Sequence, residues 1–298
     1  MSSPSSAPPR RLAPLCYRFG IALAPDTGGR AELAAAIESA AAAEGCAVTF
    51  AETTGSVTSE AAAARTLRAQ GVDGVLLAPA SGDDTVVTEL VRIGMPTVLV
   101  DRLAARDDVD QVGTENIEST SDLTEHLAAR GYRRIGLLAG PPGDSDADER
   151  SLGYRLGLGR AGLRWDAALA VRGDSPSAAG VLLAERPSAV VVAGEGMLAA
   201  VQAEARSRGL RIGTDLGLIC HGDVGRAREA EPPVSALSPP FGDLAHTAVR
   251  LLLSRIADSA RRPRIVRLTP SFAHRSSCGC PAQGSSTAAA SSSSHAPS

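Results

Sequence analysis

Lysine is missing from this sequence, and aromatic residues are scarce. All 30 basic side chains among the 298 residues are arginines, which excludes Schiff-base chemistry on a lysine and the phosphate-binding lysine of a P-loop. Aromatic residues make up 3% of the chain, so a core has to be filled by alanine, valine, leucine and isoleucine. No run of about 18 apolar residues occurs, and the sequence therefore predicts neither a membrane-spanning helix nor a membrane partner.

The net charge and the cysteines indicate which partners and which cellular compartment the sequence favours. The net charge of −3 gives no electrostatic basis for binding nucleic acid or an anionic membrane. The cysteines, Cys16, Cys46, Cys220, Cys278 and Cys280, are odd in number and scattered, which predicts free thiols in a reducing cytoplasm. Cys278 and Cys280 would make half a metal site, but the sequence shows no second pair nearby. We therefore predict no metal and no cofactor.

Both ends of the sequence are of low complexity. Residues 1–17 are rich in proline and serine, and 281–298 in serine and alanine, so we expect both segments to be disordered. Arg10 and Arg11 resemble the start of a secretion signal, but the apolar run behind them is broken at Pro14. Export is therefore not expected, and the predicted location is the cytoplasm.

Apolar stretches of strand length alternate with helical stretches along the chain. In the first half, strands are predicted at 19–24, 46–52, 74–80 and 96–101, and helices at 30–44, 59–70 and 84–93. In the second half, strands are predicted at 135–139, 167–171, 189–193 and 216–220, and helices at 116–130, 146–161, 176–185 and 197–209. The strands are apolar throughout, as parallel strands buried on both faces are. This alternation predicts an α/β fold with two doubly wound parallel-sheet lobes.

One further helix, FGDLAHTAVRLLLSRIADSA, and one further strand, RIVRLT, follow the second series. If the helix returns to the first lobe and the strand joins the second, the lobes are 18–115 plus 239–262 and 116–237 plus 263–280. Several crossings between lobes make a hinge and leave a cleft. Because ligands in such sheets bind at the carboxyl ends of strands, the cleft is the expected site.

Six phrases, in this order and spacing, resemble the ligand-sensing core of lactose/galactose-repressor-type (LacI/GalR) transcriptional regulators. They are GVDGVLLAPA, MPTVLVDR, VGTENIESTSDLTEHLAARGYRRIGLLAGP, ERSLGYRLGLGRAGL, AVVVAGEGMLAAVQAEARSRGLRIGTDLGLICHGD and HRSSCG. The resemblance covers about residues 18–280. It implies a type I periplasmic-binding-protein-like fold with three crossings, a homodimer, and a cleft that closes on a small polar ligand such as a sugar or another metabolite.

The resemblance also implies ligand-binding residues. Arg150 occupies the position of the family's effector-contacting arginine, and a guanidinium suits vicinal hydroxyls or a carboxylate. Asp101 matches a cleft-lining position, and Asp146 lies in the loop that reaches into the cleft. A structural alternative for Arg150 is an ion pair with Asp146 or Glu149. If Arg150 binds ligand from an exposed position instead, its replacement by alanine should barely change the melting temperature of the free protein.

Other pocket positions depart from the family pattern. The usual Asn-Asp pair is Gly-Glu, ending at Glu195, and the usual aromatic-Asp-Asp is His-Gly-Asp, from His221 to Asp223. The glutamine common at the third crossing is Ser238, and the aromatic-bearing turn of the first lobe is DTGG, beginning at Asp26. These five residues are the remaining candidates for ligand contacts, although His221 fits packing against a neighbouring helix equally well. The ligand's identity does not follow from them.

The DNA-binding part of the family has no counterpart in the sequence. Such regulators begin with a helix-turn-helix headpiece, roughly fifty to sixty residues before the first core strand, whereas 17 residues precede it here, without a helical pattern. Either the start is misassigned or the headpiece was lost. We therefore expect DNA as a partner only if a headpiece exists outside this chain.

Two alternatives belong to other classes. An exported solute-binding protein of a transporter shares the fold, but the N-terminal residues argue against export. An enzyme is the less favoured reading, because no G-x-S-x-G elbow, P-loop, zinc spacing or G-x-G-x-x-G follows a strand. Carboxylates such as Asp26, Asp101 and Glu195 are common at strand ends, and we predict no catalytic residue.

Overall fold

Two six-stranded sheets organise the part of the chain that the computed structural model describes, residues 17–24, 29–80, 83–223 and 225–280. The α/β fold class expected from the sequence is confirmed. One unit runs up to Glu115 and includes Gly143–Asp146 and Pro240–Thr269, and the other holds Asn116–Pro142, Ala147–Pro239 and the residues from Pro270 onward. The segments 1–16 and 281–298, for which we expect disorder, lie outside the described residues.

The sheet of the first unit is parallel throughout, in the order β11-β5-β4-β3-β1-β2. Its strands are Arg18–Leu23 (β1), Ala47–Phe50 (β2), Gly74–Ala78 (β3), Thr97–Asp101 (β4), Asp110–Thr114 (β5) and Ile265–Leu268 (β11), and its helices are Arg30–Ala43 (α1), Val57–Ala69 (α2), Thr85–Arg92 (α3) and Phe241–Ala257 (α9). Leucines of α1 and α9, such as Leu33 and Leu252, are buried in one core cluster with Phe19 of β1. The late helix α9 therefore packs in the first unit.

The sheet of the second unit has the order β12-β10-β9-β8-β6-β7, in which only β12 is antiparallel to its neighbour. Its strands are Ile135–Ala139 (β6), Ala170–Arg172 (β7), Ala189–Val192 (β8), Gly217–His221 (β9), Ser235–Ser238 (β10) and Ser271–Ala273 (β12), and the helices of this half are Ile117–Ala129 (α4), Ser145–Arg160 (α5), Pro176–Ala184 (α6), Glu195–Ser207 (α7) and Gly225–Glu229 (α8). Within the described ranges, none of the helices has the length and apolar character needed to cross a bilayer.

The last long strand of the chain is in the first sheet, which corrects the expected lobe boundary at 262/263. Strand β11 pairs in parallel with β5, for example Val266 with Val112, and the first unit extends to Thr269. Strand β5 was missed by the sequence pattern because it opens with two buried polar residues, Asp110 and Gln111. Without β5, the late strand had no visible partner in the first lobe.

Asp110 explains why the chain returns to this position. Its fully buried carboxylate accepts hydrogen bonds from Arg255 Nε of α9 and from the backbone N–H of Arg264, each at 2.9 Å, and Arg261 lies 3.6 Å away. A buried charge is stable only when it is paired and hydrogen-bonded. One carboxylate thus joins β5, the end of α9 and the residue that precedes β11.

The start of α2 shows a smaller difference from the sequence prediction. We expected the helix to begin at Ser59 with that serine as its cap. In the structure the helix begins at Val57, and the Ser56 side chain accepts a hydrogen bond from the Ser59 N–H at 3.2 Å. Ser56 is therefore the N-cap, since its oxygen satisfies an N–H that has no partner inside the helix.

A buried glutamate on α2 makes the stability of the first unit depend on pH. Glu60 is 2% exposed and accepts the Ala80 N–H through one oxygen, while the other oxygen has no partner among the described residues. Burial raises the pKa of Glu60 above 4.5. The folded state therefore binds the Glu60 proton more tightly than the unfolded state, so the free energy of unfolding falls as the pH rises from about 4.5 through the raised pKa.

Glu60→Gln is expected to remove this loss of stability. Glutamine keeps an oxygen that accepts the Ala80 N–H but carries no charge to bury. The free energy of unfolding should therefore fall less in Glu60→Gln than in the wild type as the pH rises from about 4.5 to neutral. Urea unfolding of both proteins across this range measures the effect. The exposed Glu38 provides the matched control, and an equal change in Glu38→Gln would show that Glu60 is not the source.

Candidate functional site

Arg150 on α5 lies at the carboxyl edge of the second sheet. Its Nε donates to Oδ1 of Asn116 at 3.0 Å, and its Nη1 donates to the carbonyl oxygen of Ala193 at 2.8 Å. Ala193 is the first residue after β8, so this bond holds the guanidinium at a strand end. The position that the family resemblance assigned to Arg150 is therefore at the edge where ligands bind in parallel sheets.

Asn116 links Arg150 to the start of α4. Its side chain is buried, accepts from Arg150 and donates from Nδ2 to Glu149 at 3.1 Å. Because an amide has a fixed acceptor and fixed donors, these two bonds determine which way it points. Asn116 was not among the candidate residues, since the sequence identifies it only as the residue where a helix begins.

His221 ends β9 at the same edge. Its Nε2 lies 2.9 Å from Thr120 Oγ1, and that hydroxyl donates its hydrogen to the Asn116 carbonyl oxygen at 2.6 Å. Burial holds the pKa of His221 well below 6.5, and the positive charge of Arg150 lowers it further. Since the threonine has used its only hydrogen, the neutral imidazole donates from Nε2, and its Nδ1 is an acceptor.

Asp223, another candidate for a ligand contact, is paired with two arginines of the same unit. Its carboxylate is nearly buried and lies 2.7 Å from Arg275 Nη2 and 3.3 Å from Arg228 Nε. These two ion pairs connect the residues after β9 to the C-terminal segment and to α8. The residue at the position of the family's second aspartate thus makes ion pairs within the second unit.

The other candidates are distributed over both units. Ser238 is the half-buried last residue of β10 and pairs with Ser271. Asp101, the last residue of β4, has a left-handed backbone with φ of 70°, which is uncommon outside glycine and is tolerated by aspartate. Asp146 is half-buried and belongs to the first unit.

The side chains of two candidates, Glu195 and Asp26, lie outside the part of the chain that the structure describes. Glu195 is the first residue of α7, but its side chain is outside the described atoms, and Asp26 is outside the described residues. Within the second unit, the structure brings together Arg150 and His221 through Asn116 and Thr120. Asp101 is at the carboxyl end of its own strand in the first sheet.

Comparison with known proteins identifies the family. Residues 124–278, just over half of the 298-residue chain, match the model of the periplasmic binding protein-like domain. The chain belongs to this family. Within it, the chain is an effector-binding core of the LacI/GalR type, as the relatives show.

The relatives of this LacI/GalR-type core are named as regulators. The HTH-type transcriptional regulator CelR of Thermobifida fusca is 32% identical over 206 residues, which cover 66% of this chain and 61% of CelR. The ribose operon repressor of Haemophilus influenzae is 28% identical over 221 residues, covering 72% and 66% of the two chains. The chain thus spans about three fifths to two thirds of the length of these relatives.

A solved structure extends the similarity to the fold. The complex of the transcriptional regulator CelR with cellobiose superimposes with a TM-score of 0.81 at 27% identity, covering 89% of this chain and 86% of that one. The type I periplasmic-binding-protein-like architecture expected for a LacI/GalR core is therefore confirmed.

Proposed function

We propose that this chain is the effector-sensing core of a LacI/GalR-type transcriptional regulator and binds a small, sugar-like ligand at the carboxyl edge of the second sheet. The position of Arg150 is the observation that carries the proposal. Asn116 and the Ala193 carbonyl fix its guanidinium at the strand ends. A guanidinium fixed in this way loses little side-chain entropy when it donates to ligand hydroxyls.

His221 supports a ligand rich in hydroxyl groups. Its imidazole is neutral and has an acceptor nitrogen, whereas Arg150 only donates. A sugar hydroxyl both donates and accepts, so it complements this pair. The relatives agree with this chemistry, since one solved relative is a cellobiose complex and another relative is named a ribose operon repressor.

The proposal also covers the oligomeric state, the location and the partners of the chain. We propose that the chain acts as a homodimer in the cytoplasm, binds its ligand without converting it, and reaches DNA only through a headpiece outside these residues. Relatives named as transcriptional regulators favour this function over an exported solute-binding protein and over an enzyme.

A thermal-shift panel tests the proposed ligand class. We expect cellobiose, ribose or a related mono- or disaccharide to raise the melting temperature of the wild-type chain. A ligand at a hundredfold excess over its Kd stabilises the folded state by about 2.7 kcal/mol, which corresponds to a shift of several degrees.

Sorbitol at the same concentrations is the control, because polyols stabilise proteins weakly by exclusion from the surface. A specific ligand gives a saturating shift at concentrations where sorbitol gives none. A panel in which no sugar exceeds the sorbitol response would contradict the proposed ligand class.

A further inference from the structure

A cluster of thiols and imidazoles lies outside the candidate ligand site. His126, His274, Cys278 and Cys280 bring one potential ligand atom each within 4.8 Å of one another. His126 is in the last turn of α4, and His274 directly follows β12. Cys278 ends the short 3-10 turn Ser276–Cys278, and Cys280 is two residues further on. The sequence showed only the Cys-x-Cys pair.

The cluster is at the opposite edge of the second sheet from Arg150. Strand β12 runs antiparallel to β10, and its last residue, Ala273, pairs with Ala236 near the start of β10. Helix α4 also ends at this amino edge, before β6 begins. The cluster is therefore independent of the proposed sugar site.

The donor set and its spacing fit a tetrahedral zinc ion. Two thiolates and two imidazoles are a common ligand set of structural zinc sites, with Zn–S of about 2.3 Å and Zn–N of about 2.0–2.1 Å. In a tetrahedron with these bonds, a sulfur and a nitrogen are about 3.5 Å apart. Cys280 Sγ and His126 Nε2 are 3.5 Å apart. All four atoms can reach one ion after side-chain adjustments on the order of 1 Å.

The backbone around the two cysteines is fixed in the position that the cluster requires. Gly279 has a φ of 75°, and a Cβ at this position would lie 2.6 Å from the Tyr132 hydroxyl. The Gly279 carbonyl accepts from Arg130 Nη2 at 2.7 Å. The buried Ser277 hydroxyl accepts from the Ser235 N–H and donates to the Leu218 carbonyl, which ties the turn to β9 and β10.

The two histidines are also held in place. The ring of Phe272 makes an edge contact with His126 at a centroid distance of 5.2 Å and lies 4.1 Å from the ring of His274. The rings of the two histidines are themselves 5.1 Å apart. Cys278 is buried and Cys280 and His126 are half-buried, whereas His274 is exposed. Because the cluster is exposed on the side of His274, an ion can enter from that side.

We propose that His126, His274, Cys278 and Cys280 form a structural Zn²⁺ site that fastens the C-terminal turn to α4 and β12. Four protein ligands close the coordination shell, which is the arrangement of structural rather than catalytic zinc. On binding, each thiol transfers its proton to solvent, and the two thiolates and two neutral imidazoles coordinate the ion. The free cysteines of a reducing compartment remain available for this role.

Cobalt substitution tests the proposal directly. The full chain, reduced and treated with a chelator, is titrated with Co²⁺ without oxygen. We expect one equivalent to produce the ligand-field bands of tetrahedral cobalt together with thiolate charge-transfer absorption, and Zn²⁺ to displace it stoichiometrically. Cys280→Ser and His274→Asn should each weaken binding by more than about 100-fold, since even the loss of an outer contact to a ligand costs 10- to 100-fold.

The matched control is the double variant Cys46→Ser/His246→Asn, which changes the same residue types in the first unit and should bind cobalt like the wild type. His274 is exposed, so His274→Asn keeps the test valid if Cys280→Ser does not fold. Absence of tetrahedral bands in the wild type would overturn the proposal. So would unchanged binding in both variants, or a Cys278–Cys280 disulfide that persists under reductant and Zn²⁺.

Discussion

Gly153→Ala is expected to destabilise the second unit by about 3 kcal/mol, the upper part of the range for overpacked cores. Gly153 on α5 faces the first turn of α4, and a Cβ at this position would overlap the Ile117 carbonyl oxygen and lie 2.9 Å from Thr120 Cβ. The main obstacle is backbone, which cannot rotate away as a flexible side chain does. Urea unfolding measures the loss, and we expect the midpoint to fall with little change in slope.

Gly159→Ala is the matched control on the same helix and should have the opposite sign. A Cβ at Gly159 would meet no atom within 4 Å. Replacing an exposed helical glycine by alanine stabilises by roughly 0.5–1 kcal/mol. If both variants lose stability equally, the close approach of α5 to α4 is not what requires Gly153.

The close packing at Gly153 also affects the candidate site. Its closest neighbours, Ile117 and Thr120, lie in the first turn of α4. Asn116 is the N-cap of the same turn. A displaced α4 would move the groups that hold Arg150 and His221. The phrase ERSLGYRLGL therefore combines a packing requirement at Gly153 with the candidate ligand-binding residue Arg150.

The fold was predictable from the sequence where burial and periodicity agree. All five residues of β3 are buried and apolar, so the pattern identifies the strand without tertiary information. The prediction failed at β5, where Asp110 is buried because arginines from α9 and its following loop pair with it. Such compensation comes from residues more than a hundred positions away, and local periodicity does not contain it.

The site was predictable only in part. The family resemblance gave Arg150, but Asn116 is 34 residues away, and their contact depends on how α4 and α5 pack. The ion pairs of Asp223 with Arg275 and Arg228 were not predictable either, because they depend on how the C-terminal segment and α8 pack. The zinc cluster was missed because His126 and Cys280 are 154 residues apart in the chain.

Arg150→Ala is expected to weaken sugar binding at least about tenfold, because a hydrogen bond that involves a charged group contributes about 1.5–3 kcal/mol. The structure also changes what we expect of the free protein. Since Arg150 donates to Asn116 and to the Ala193 carbonyl, its removal should lower the free energy of unfolding by about 1–3 kcal/mol. A difference in melting temperature alone would therefore mix a loss of stability with a loss of binding. The Kd of each variant must be measured by titration at a temperature where all variants are folded.

Arg134→Ala is the control for that comparison. Arg134 precedes β6 at the amino edge of the same sheet, where its Nη2 donates to the Glu185 carbonyl at 2.8 Å. The Arg134→Ala variant loses a hydrogen bond from an arginine to a backbone carbonyl, as Arg150→Ala does, but leaves the carboxyl edge of the sheet unchanged. Comparing Arg150→Ala with Arg134→Ala thus distinguishes a loss of folding stability from a loss of ligand binding.

Calorimetric titration of the three proteins with the sugar that gives the largest thermal shift tests the central claim most directly. The account predicts one site per chain in the wild type, the same Kd in Arg134→Ala, and a Kd at least about tenfold higher in Arg150→Ala. An Arg150→Ala protein that is folded and binds the sugar with the wild-type Kd would contradict a ligand site at the carboxyl edge of the second sheet.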